Sequence, residues 1–555
     1  MAEAWTELAP HYYRDNFQRL CDAVTAQYGD LLRDHEHALL QGFSALEFSA
    51  QCLYVRLVTR VGPLFRTSAI NYPELGDCEL LLEQLLAAEM VQEFKALPLE
   101  QLARLFTRQQ LVNAFAAELQ EPVSQRKAEL LASIKARNFS EDDLYRLACA
   151  ETDERIVMPA AGETVQLLQL LFFGNRYQSL TDFVLSDLGV ACYYPYELDP
   201  DQRLFYNRKS VEEYLHCCSL HDLAREQRDS GDVDGLCELA QLVCELPPPE
   251  YPPTRHRRAR LCNFLGREME RCKEPQLALA LYRDNELHPA RERRARVMEA
   301  TRDFAGAARL CRAIIANPWG EEEQEAARRI LTRAERKLGE RSAPIRRDRF
   351  PRLELELKKQ DSTVESLAAL ALQEHWPAVH YVENHLFNAL FGLAFWEQIF
   401  SPVPGAFHHP YQSIPADMYQ QSFQQQRNSA INARLKELAD IPLEQELVKV
   451  YDRCQSYQCR WVNWRRISRQ LVAEAASVIP AEHLLAIWKR MMFDPRENRR
   501  GFPDLIALGA CSGDYQLIEV KGPGDALQDG QKRWLRFFAQ WDIPATVAWV
   551  QWDND

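Results

Sequence analysis

The sequence predicts a mostly helical chain that ends in a small α/β domain. Apolar residues recur at three- and four-residue intervals through most of the first 370 residues. Clear strand character begins only after Gly501. At 555 residues, with 46% hydrophobic residues, the chain is also longer than a single hydrophobic core supports. We therefore expect roughly three or four domains.

The composition excludes several classes of protein. No run of about 18 uncharged apolar residues occurs, and the N-terminus lacks a basic segment followed by an apolar one, so neither a membrane span nor a signal peptide is predicted. The net charge of −14 argues against a protein that coats nucleic acid over its whole surface, but it leaves room for a local basic groove. The fifteen cysteines form no C-x-x-C pair, which indicates reduced thiols and no zinc site. We expect a soluble intracellular protein.

The first 150 residues read as helical, without a convincing strand, and we divide them into domains at 1–72 and 73–150. Two basic groups lie here. Arg56, Arg60 and Arg66 fall near Tyr54, and Arg104 occupies a polar position of a later amphipathic helix. Spacing alone favours a solvated helical face for these arginines, and the alternative is a surface that grips phosphates.

The next predicted domain, residues 151–372, is a helical array with a weak internal repeat. The segments "CKEPQLALALYRDNELHP" and "TRDFAGAARLCRAIIANP" align without gaps and end at Pro289 and Pro318. They indicate stacked helical pairs of the tetratricopeptide kind. Arginine is dense in this region, which fits salt-bridged helix surface and a phosphate-binding track equally well. The arginines are Arg255, Arg257, Arg258, Arg260, Arg291, Arg293, Arg294 and Arg296.

We interpret residues 340–372 as a connecting segment, because Pro344 and Pro351 interrupt the helical pattern. The last predicted domain, residues 373–555, opens with the apolar segment "WPAVHYVENHLFNALFGLAFWEQIF", read as one helix, and continues into an aromatic loop. Strands are predicted at "PDLIALG", "YQLIEVKG" and "ATVAWVQW", with the helix "DGQKRWLRFFAQW" between the last two.

Three charged residues at the ends of these strands suggest a site. Pro503-Asp504 is followed, after 14 residues, by Glu519-Val520-Lys521. Strand alternation places Glu519 and Lys521 on the same side. Asp504, Glu519 and the carbonyl of Val520 could hold Mg²⁺ or Mn²⁺, and Lys521 could orient a cation-bound water. An edge strand protected by charge is the alternative interpretation.

The motif and its surroundings resemble the Fanconi-associated nuclease family, whose catalytic module is the virus-type replication-repair nuclease (VRR-NUC) domain of the PD-(D/E)xK superfamily. The resemblance rests on "RGFPDLIALG", "YQLIEVKGPGDALQDGQKRW", "YVENHLFNALFGLAFWEQIF" and "FHHPYQSIPADMY". It implies a helical N-terminal region with a SAP-like DNA-binding part, a tetratricopeptide-like middle and a C-terminal α/β domain of the restriction-endonuclease-like fold.

The resemblance also assigns individual residues. It implies that Asp504, Glu519 and Lys521 are catalytic and that Glu383, on the first helix of the nuclease domain, is a further metal ligand. Gln412 and Gln531 match family positions near the site. His408 and His409 are read as loop surface. The basic residues before the motif, Arg496, Arg499 and Arg500, are candidates for steering the scissile strand.

The function implied by the resemblance is metal-dependent cleavage of branched or flapped double-stranded DNA. The expected activity is cutting at 5′ flaps with 5′-to-3′ exonuclease action, in interstrand crosslink repair. Alternatives are a four-way-junction resolvase and a DNA- or protein-binding scaffold with an inactive nuclease domain. We see no ubiquitin-binding zinc finger, expect no membrane contact, and leave the oligomeric state open. The expected location is the cytoplasm, with the nucleoid, in a bacterium, or the nucleus in a eukaryote.

Overall fold

The computed structural model describes residues 10–60, 62–119, 126–150, 154–160, 162–176, 178, 180–188, 190–196, 198, 203–340 and 348–553. The chain divides into two compact units. One consists of Met1–Cys192 with Asp199–Leu204, and the other of Tyr193–Leu198 with Phe205–Asp555. The predicted helical character of the chain is confirmed, and its α/β part lies entirely in the second unit.

The first unit is built mainly from helices, with a core of aromatic side chains. Phe17 and Phe43 pack edge to face with ring centroids 5.1 Å apart, and Tyr54 lies beside them, fully buried. The helices are α1 (Tyr12–Tyr28), α2 (Asp34–Ala45), α3 (Phe48–Thr59), α4 (Cys78–Ala87), α5 (Leu99–Leu105), α6 (Arg108–Leu119), α7 (Lys127–Ala136), α8 (Glu141–Cys149), α9 (Gly162–Phe173) and α10 (Thr181–Asp187).

A small antiparallel sheet in this unit corrects the sequence analysis. Its strands are β1 (Phe65–Arg66), β2 (Val91–Phe94) and β3 (Ile156–Pro159), in the order β1-β3-β2. The expectation that residues 1–150 lack a strand is therefore wrong. Strands of two and four residues are too short for period-two alternation to be detected, and β1 and β2 are held by pairing with β3, distant in sequence.

The second unit begins with an array of helices in which consecutive helices pack against one another. Its helices are α11 (Arg208–Ser230), α12 (Val233–Glu245), α13 (Pro252–Arg271), α14 (Pro275–Arg283), α15 (Ala290–Ala300), α16 (Phe304–Ala316) and α17 (Glu321–Leu338). The aligned segments form the matching helices α14 and α16. Lys273 and Arg302, at equivalent places before these helices, both have positive φ, of 64° and 66°. The predicted repeat of helical pairs is confirmed.

The α/β part contains a five-stranded mixed sheet. Its strands are β4 (Arg352–Lys358), β5 (Ala378–Tyr381), β6 (Leu505–Leu508), β7 (Tyr515–Lys521) and β8 (Ala545–Asp553), in the order β4-β8-β7-β6-β5. β8 is parallel to β4 and β7, whereas β6 is antiparallel to β5 and β7. The associated helices are α18 (Val364–Leu372), α19 (His385–Ala394), α20 (Trp396–Ile399), α21 (Gln421–Asp440), α22 (Leu443–Cys454), α23 (Arg469–Val478), α24 (Ala481–Phe493) and α25 (Asp529–Gln540). The three predicted strands and the helix between the last two are confirmed as β6, β7, α25 and β8.

The assignment of residues 340–372 to a connecting segment is wrong for most of its length. Residues 352–358 are edge strand β4 and residues 364–372 are helix α18, so the sheet recruits elements before the predicted boundary at 373. Successive side chains of β4 point to opposite faces of the sheet, so exposed charged residues alternate with partly buried leucines. This alternation is a strand signal that the sequence analysis missed, because Pro344 and Pro351 favoured a connecting segment. Pro344 and the rest of 341–347 lie outside the described residues.

The segment "WPAVHYVENHLF" is also not a continuous helix. It contains strand β5, a turn at Glu383 and the start of α19. Glu383, Asn384 and His385 interrupt the apolar run between β5 and α19. Strand β5 has only four residues, however, which is too short for periodicity to distinguish it from the helix that follows.

The cysteines and the apolar helices bear on two expectations from composition. All fifteen cysteines are free, as predicted. Among the described residues, no single helix is both long and apolar enough to cross a membrane; α23 and α24 reach that length only jointly, across a bend of 111°.

A stack of aromatic rings fixes the chain immediately before Asp504. Phe502 lies between Phe387 of α19 and Trp534 of α25, with ring centroids 4.9 Å and 4.1 Å away. All three side chains are almost completely buried. Truncating a buried aromatic of this kind costs about 3–5 kcal/mol. The large core of the α/β part therefore holds the start of β6 in place.

Candidate functional site

The charged residues of the motif meet where β6 and β7 lie side by side. Asp504 immediately precedes β6, and Leu505 pairs with Ile518, the neighbour of Glu519. The backbone N–H of Val520 donates a hydrogen bond of 2.9 Å to Oδ2 of Asp504. Antiparallel pairing thus brings residues 16 positions apart into direct contact.

Glu519 and Lys521 lie on the same side of β7, as alternation predicts. Lys521 Nζ is 2.8 Å from Glu519 Oε1. Glu519 is 1% exposed and Lys521 9% exposed, so the pair is withdrawn from water. Neither carboxylate oxygen of Glu519 receives a well-aligned hydrogen bond from the described residues. A buried carboxylate in this condition is costly unless a further positive charge or a proton satisfies it.

Burial changes the acidity of both motif carboxylates. Burial raises the pKa of Asp504 to about 6, although the Val520 N–H and the charge of Lys521 act in the opposite direction. Burial, aided by the charge of Asp504, raises the pKa of Glu519 to about 8. Glu365, at the start of α18, also raises the pKa of Asp504 through its charge. In the absence of a cation, Glu519 therefore retains its proton at neutral pH, whereas Asp504 is mostly ionised.

Glu383 is near this site but not on a helix, which corrects the expectation from sequence. It occupies the turn between β5 and α19 with φ of 35°. Its backbone N–H donates to the carbonyl oxygen of Asp504 at 2.9 Å, and so does that of Val382. Its carboxylate accepts hydrogen bonds from Tyr381 and Asn384. Sequence reasoning missed both partners, since neither contact has a spacing signature.

A glycine allows the chain to enter β6 correctly. Gly501 has φ of 80°, and a Cβ there would come within 2.9 Å of a backbone carbon of Gly530. Trp534 Nε1 donates to the carbonyl of Arg500 at 2.9 Å. The segment before Asp504 is thereby packed closely onto the N-terminal end of α25, which a larger residue at 501 would prevent.

The two candidate glutamines make structural contacts. Gln412 Oε1 accepts from the backbone N–H of His408 at 2.6 Å, and Gln531 Oε1 accepts from that of Gln528 at 2.9 Å, at the start of α25. Their placement near the site stays a prediction. His408 and His409 are buried, 8% and 2% exposed, so their interpretation as loop surface is wrong. Burial lowers their pKa values to about 4 and about 3.

The chemistry of these residues fits a hard divalent cation. Asp504, Glu519 and Glu383 supply carboxylate oxygens, which Mg²⁺ and Mn²⁺ prefer. The two oxygens of Glu519 are buried and accept no aligned hydrogen bond from any residue that the structure describes, a condition that a bound cation would relieve. The described residues contain no preassembled group of three or more ligands, so support for a cation comes from donor chemistry and burial.

Arg66 is engaged inside the first unit. Its guanidinium pairs with Glu154, whose side chain is almost completely buried, and Nε donates to Glu154 Oε2 at 2.7 Å. Burial would raise the pKa of Glu154, but hydrogen bonds from Arg66 and Ser68 outweigh it and lower this pKa. Arg66 therefore has a structural partner that competes with any phosphate contact.

The other candidate arginines of this unit are less constrained. Arg56 pairs with Glu74 at 3.0 Å, and Arg60 Nη1 donates to the Tyr72 hydroxyl at 3.2 Å. Arg104 is exposed on α5. Surface interactions of this kind contribute little to stability, so Arg60 and Arg104 can exchange them for a phosphate at small cost. Arg56 is half-buried and its guanidinium lies 4.0 Å from the centroid of the Tyr13 ring, so it is held more firmly.

Among the arginines before the motif, one has a hydrogen-bond partner within the protein and two are exposed. Arg499 Nη1 donates to the hydroxyl of Tyr419 at 2.5 Å, whereas Arg496 and Arg500 are exposed. Within the dense arginine group of the helical array, Arg291 and Arg293 pair with glutamates at 2.6 Å and 2.5 Å. Those two contacts favour the salt-bridged interpretation for part of that group.

Comparison with known families matches three parts of the chain. Residues 440–552 match the VRR-NUC domain, which includes Asp504, Glu519 and Lys521. Residues 11–92 match the "FAN1, HTH domain" and residues 96–141 match the Fanconi anemia-associated nuclease SAP domain. The predicted boundary between residues 72 and 73 falls inside the first of these N-terminal matches.

Similarity to individual proteins extends over nearly the whole chain. A Fanconi-associated nuclease 1 homolog of Pseudomonas aeruginosa is 35% identical over 562 residues, covering 98% of this chain and 97% of the relative. A homolog from Oryza sativa is 24% identical, covering 97% of this chain and 62% of that protein. The crystal structure of paFAN1 bound to 2nt 5′ flap DNA with gap superposes with a TM-score of 0.87 at 34% identity, covering 99% of this chain and 100% of that chain.

Proposed function

The chain belongs to the Fanconi-associated nuclease family and is a structure-selective DNA nuclease, and we propose that its site hydrolyses the DNA backbone beside 5′ flaps. The proposal includes 5′-to-3′ exonuclease action and a role in interstrand crosslink repair. The observation that carries it is the contact between β6 and β7, where Asp504, Glu519 and Lys521 meet in a buried site. The similarity of the whole chain to a protein crystallised on 5′ flap DNA supports this substrate.

The carboxylates of Asp504, Glu519 and Glu383 would hold Mg²⁺ or Mn²⁺, with the Val520 carbonyl as a further ligand. The N–H of Val520 already points to Asp504, and the N–H and C=O of one strand residue point to the same edge. When bound, such a cation lowers the pKa of an attacking water and stabilises negative charge on the phosphate. Glu519 must give up its proton to serve as a ligand, so binding should weaken below about pH 8.

Lys521 supplies the positive charge of the protein itself. Its ammonium is positioned on β7 next to Glu519 and is largely shielded from water. In this role it donates hydrogen bonds to the attacking water or to a phosphate oxygen, where charge develops during hydrolysis. A buried ammonium is more effective there than an exposed one, because solvent screens it less.

Branched DNA would be recognised through its backbone. Contacts to phosphates position a duplex without reading its sequence, and bending at a branch distinguishes a flap from plain duplex. The candidate phosphate contacts with exposed side chains are Arg60, Arg104, Arg496 and Arg500. Arg56 is a further candidate, which would have to give up its pairing with Glu74 to reach a phosphate. We keep the division into a helical N-terminal region, a SAP-like part, a helical array and an α/β nuclease domain as part of this proposal.

Polarity and metal dependence test the proposal together. A 5′-flap substrate labelled at either the 5′ or the 3′ end of the flapped strand is incubated with Mg²⁺, Mn²⁺ or EDTA. We expect cation-dependent cuts near the flap junction, followed by progressive shortening of the 3′-labelled product from its 5′ end. Cleavage that persists in EDTA, or shortening from the 3′ end, would contradict the proposed reaction.

A further inference from the structure

Glu383 differs from Asp504 and Glu519 in the structural element that carries it. Asp504 and Glu519 lie at the start of one strand and within another, whereas Glu383 lies in a turn and is only partly buried. A glutamate side chain in such a turn would ordinarily sample several rotamers, at an entropic cost of up to about 2 kcal/mol when it is fixed. Something else must define the position of its carboxylate.

Two neutral donors occupy the two oxygens of Glu383. The Tyr381 hydroxyl donates to Oε2 at 2.8 Å, and Asn384 Nδ2 donates to Oε1 at 3.0 Å. A carboxylate oxygen can accept two hydrogen bonds, so one donor on each oxygen leaves capacity on both for a cation. Donors without charge fix the carboxylate and do not neutralise it.

Both donors are anchored to the chain that carries Asp504. Tyr381 is the last residue of β5 and pairs with Leu505, the residue after Asp504. Asn384 Oδ1 accepts from the backbone N–H of Phe502 at 3.3 Å. The side chain of Asn384 thus connects the carboxylate of Glu383 to the segment just before Asp504.

We propose that Tyr381 and Asn384 are positioning residues that hold the carboxylate of Glu383 ready to bind the divalent cation beside Asp504. This inference rests on the proposed function, in which Glu383 is a cation ligand. The backbone supports the same arrangement, because the N–H of Glu383 donates to the Asp504 carbonyl at 2.9 Å. The entropy lost in fixing the Glu383 side chain is then part of the free energy of folding, and it does not weaken cation binding.

Tyr381 offers a clean test, because its ring is 46% exposed and contributes little to the core. Tyr381→Phe removes one hydroxyl and keeps the ring, and Asn384→Ala removes the second donor. Asn388→Ala is the matched control. Asn388 lies on α19, one turn after Asn384, and its side chain donates to the Arg499 carbonyl at 3.0 Å instead of to Glu383. The full-length protein is used throughout.

Binding of Mn²⁺ to the DNA-free protein is measured by electron paramagnetic resonance, and flap cleavage is measured over a range of Mn²⁺ concentrations. We expect Tyr381→Phe and Asn384→Ala each to weaken Mn²⁺ binding about 10-fold, the usual scale for partners of metal ligands. Cleavage at saturating Mn²⁺ should recover to near the wild-type kcat. Asn388→Ala should bind Mn²⁺ like the wild type.

Unchanged Mn²⁺ affinity in both variants would overturn the inference, as would a fall in kcat at saturating Mn²⁺ with unchanged affinity. The variant Glu383→Gln shows whether the positioning role is wrong or whether Glu383 is not a cation ligand at all. If Glu383→Gln weakens Mn²⁺ binding and the two positioning variants do not, only the positioning role is wrong. If Glu383→Gln has no effect, Glu383 is not a ligand and both proposals about it fail. Should Asn384→Ala unfold, Tyr381→Phe alone decides.

Discussion

Replacing Glu519 by glutamine should stabilise the cation-free protein and make its stability less dependent on pH. Glu519 is 1% exposed, and Lys521 Nζ lies 2.8 Å from its Oε1. Its pKa rises from an ordinary 4.5 to about 8 in the fold. The pKa in the folded state is the higher one. The contribution of this carboxyl to the free energy of unfolding is therefore fully present below about pH 4.5 and is lost as the pH rises to about 8.

The magnitude follows from the two pKa values. The difference between 4.5 and about 8 corresponds to roughly 5 kcal/mol at about 1.4 kcal/mol per pKa unit. Water can approach the site on the side of the partly exposed Asp504, so we expect about half of this, on the order of 2–3 kcal/mol. For a domain of some 200 residues, that change moves the unfolding temperature by roughly 5–10 °C.

The assay is thermal unfolding in EDTA between pH 5 and pH 9, by scanning calorimetry. Wild type should lose stability as pH rises, and Glu519→Gln should lose less, so the two curves diverge with pH. Glu356→Gln is the control, because Glu356 is a strand glutamate of the same sheet that is exposed on β4. Parallel pH curves for wild type and Glu519→Gln would refute the reasoning. Added Mn²⁺ should stabilise wild type and leave Glu519→Gln almost unchanged.

Further substitutions separate the roles of the other charged residues. Asp504→Ala should lower flap cleavage at least about 100-fold, while flap binding, measured by fluorescence anisotropy, persists. Arg66→Ala should destabilise the first unit by about 3–5 kcal/mol in calorimetry, because it removes the cationic partner of the buried Glu154 carboxylate. Arg104→Ala should leave stability unchanged and reduce the salt dependence of flap binding by about one phosphate contact, measured as the slope of log affinity against log salt.

Each of these outcomes can fail in a recognisable way. Parallel loss of binding and cleavage in the Asp504 variant would mean that the carboxylate serves DNA binding or folding. Arg66→Ala with normal stability but weak DNA binding would reverse the structural assignment of that arginine. An unchanged salt slope for Arg104→Ala would remove it from the phosphate contacts.

Local signals in the sequence were sufficient for the centre of the site. β6 and β7 are apolar runs bounded by turn residues, and strand alternation correctly put Lys521 beside Glu519. The register that brings Asp504 to Val520 follows from antiparallel pairing of these neighbouring strands. This part could be predicted because the strands that form it are close together in the sequence.

The remaining parts depend on tertiary contacts that leave no local pattern. Strands β1 and β2 exist because they pair with β3, distant in sequence. Strand β4 differs, because its charged residues and leucines alternate, but Pro344 and Pro351 outweighed that local pattern. The turn at Glu383 is defined by the carbonyl of Asp504, far along the chain. Arg66 and Glu154 are 88 residues apart, so their pairing could not be read from charge spacing.

The most direct test of the central claim compares wild type with Lys521→Ala on end-labelled 5′-flap, four-way-junction and plain duplex DNA, with Mg²⁺, Mn²⁺ or EDTA. The account predicts cation-dependent cuts close to the flap junction, much weaker cleavage of the other substrates, and loss of cutting in the variant with flap binding retained. Tight binding of flap DNA by the wild type without cleavage of any substrate would contradict it, and would make the protein a DNA-binding scaffold whose Glu519 and Lys521 are a structural ion pair.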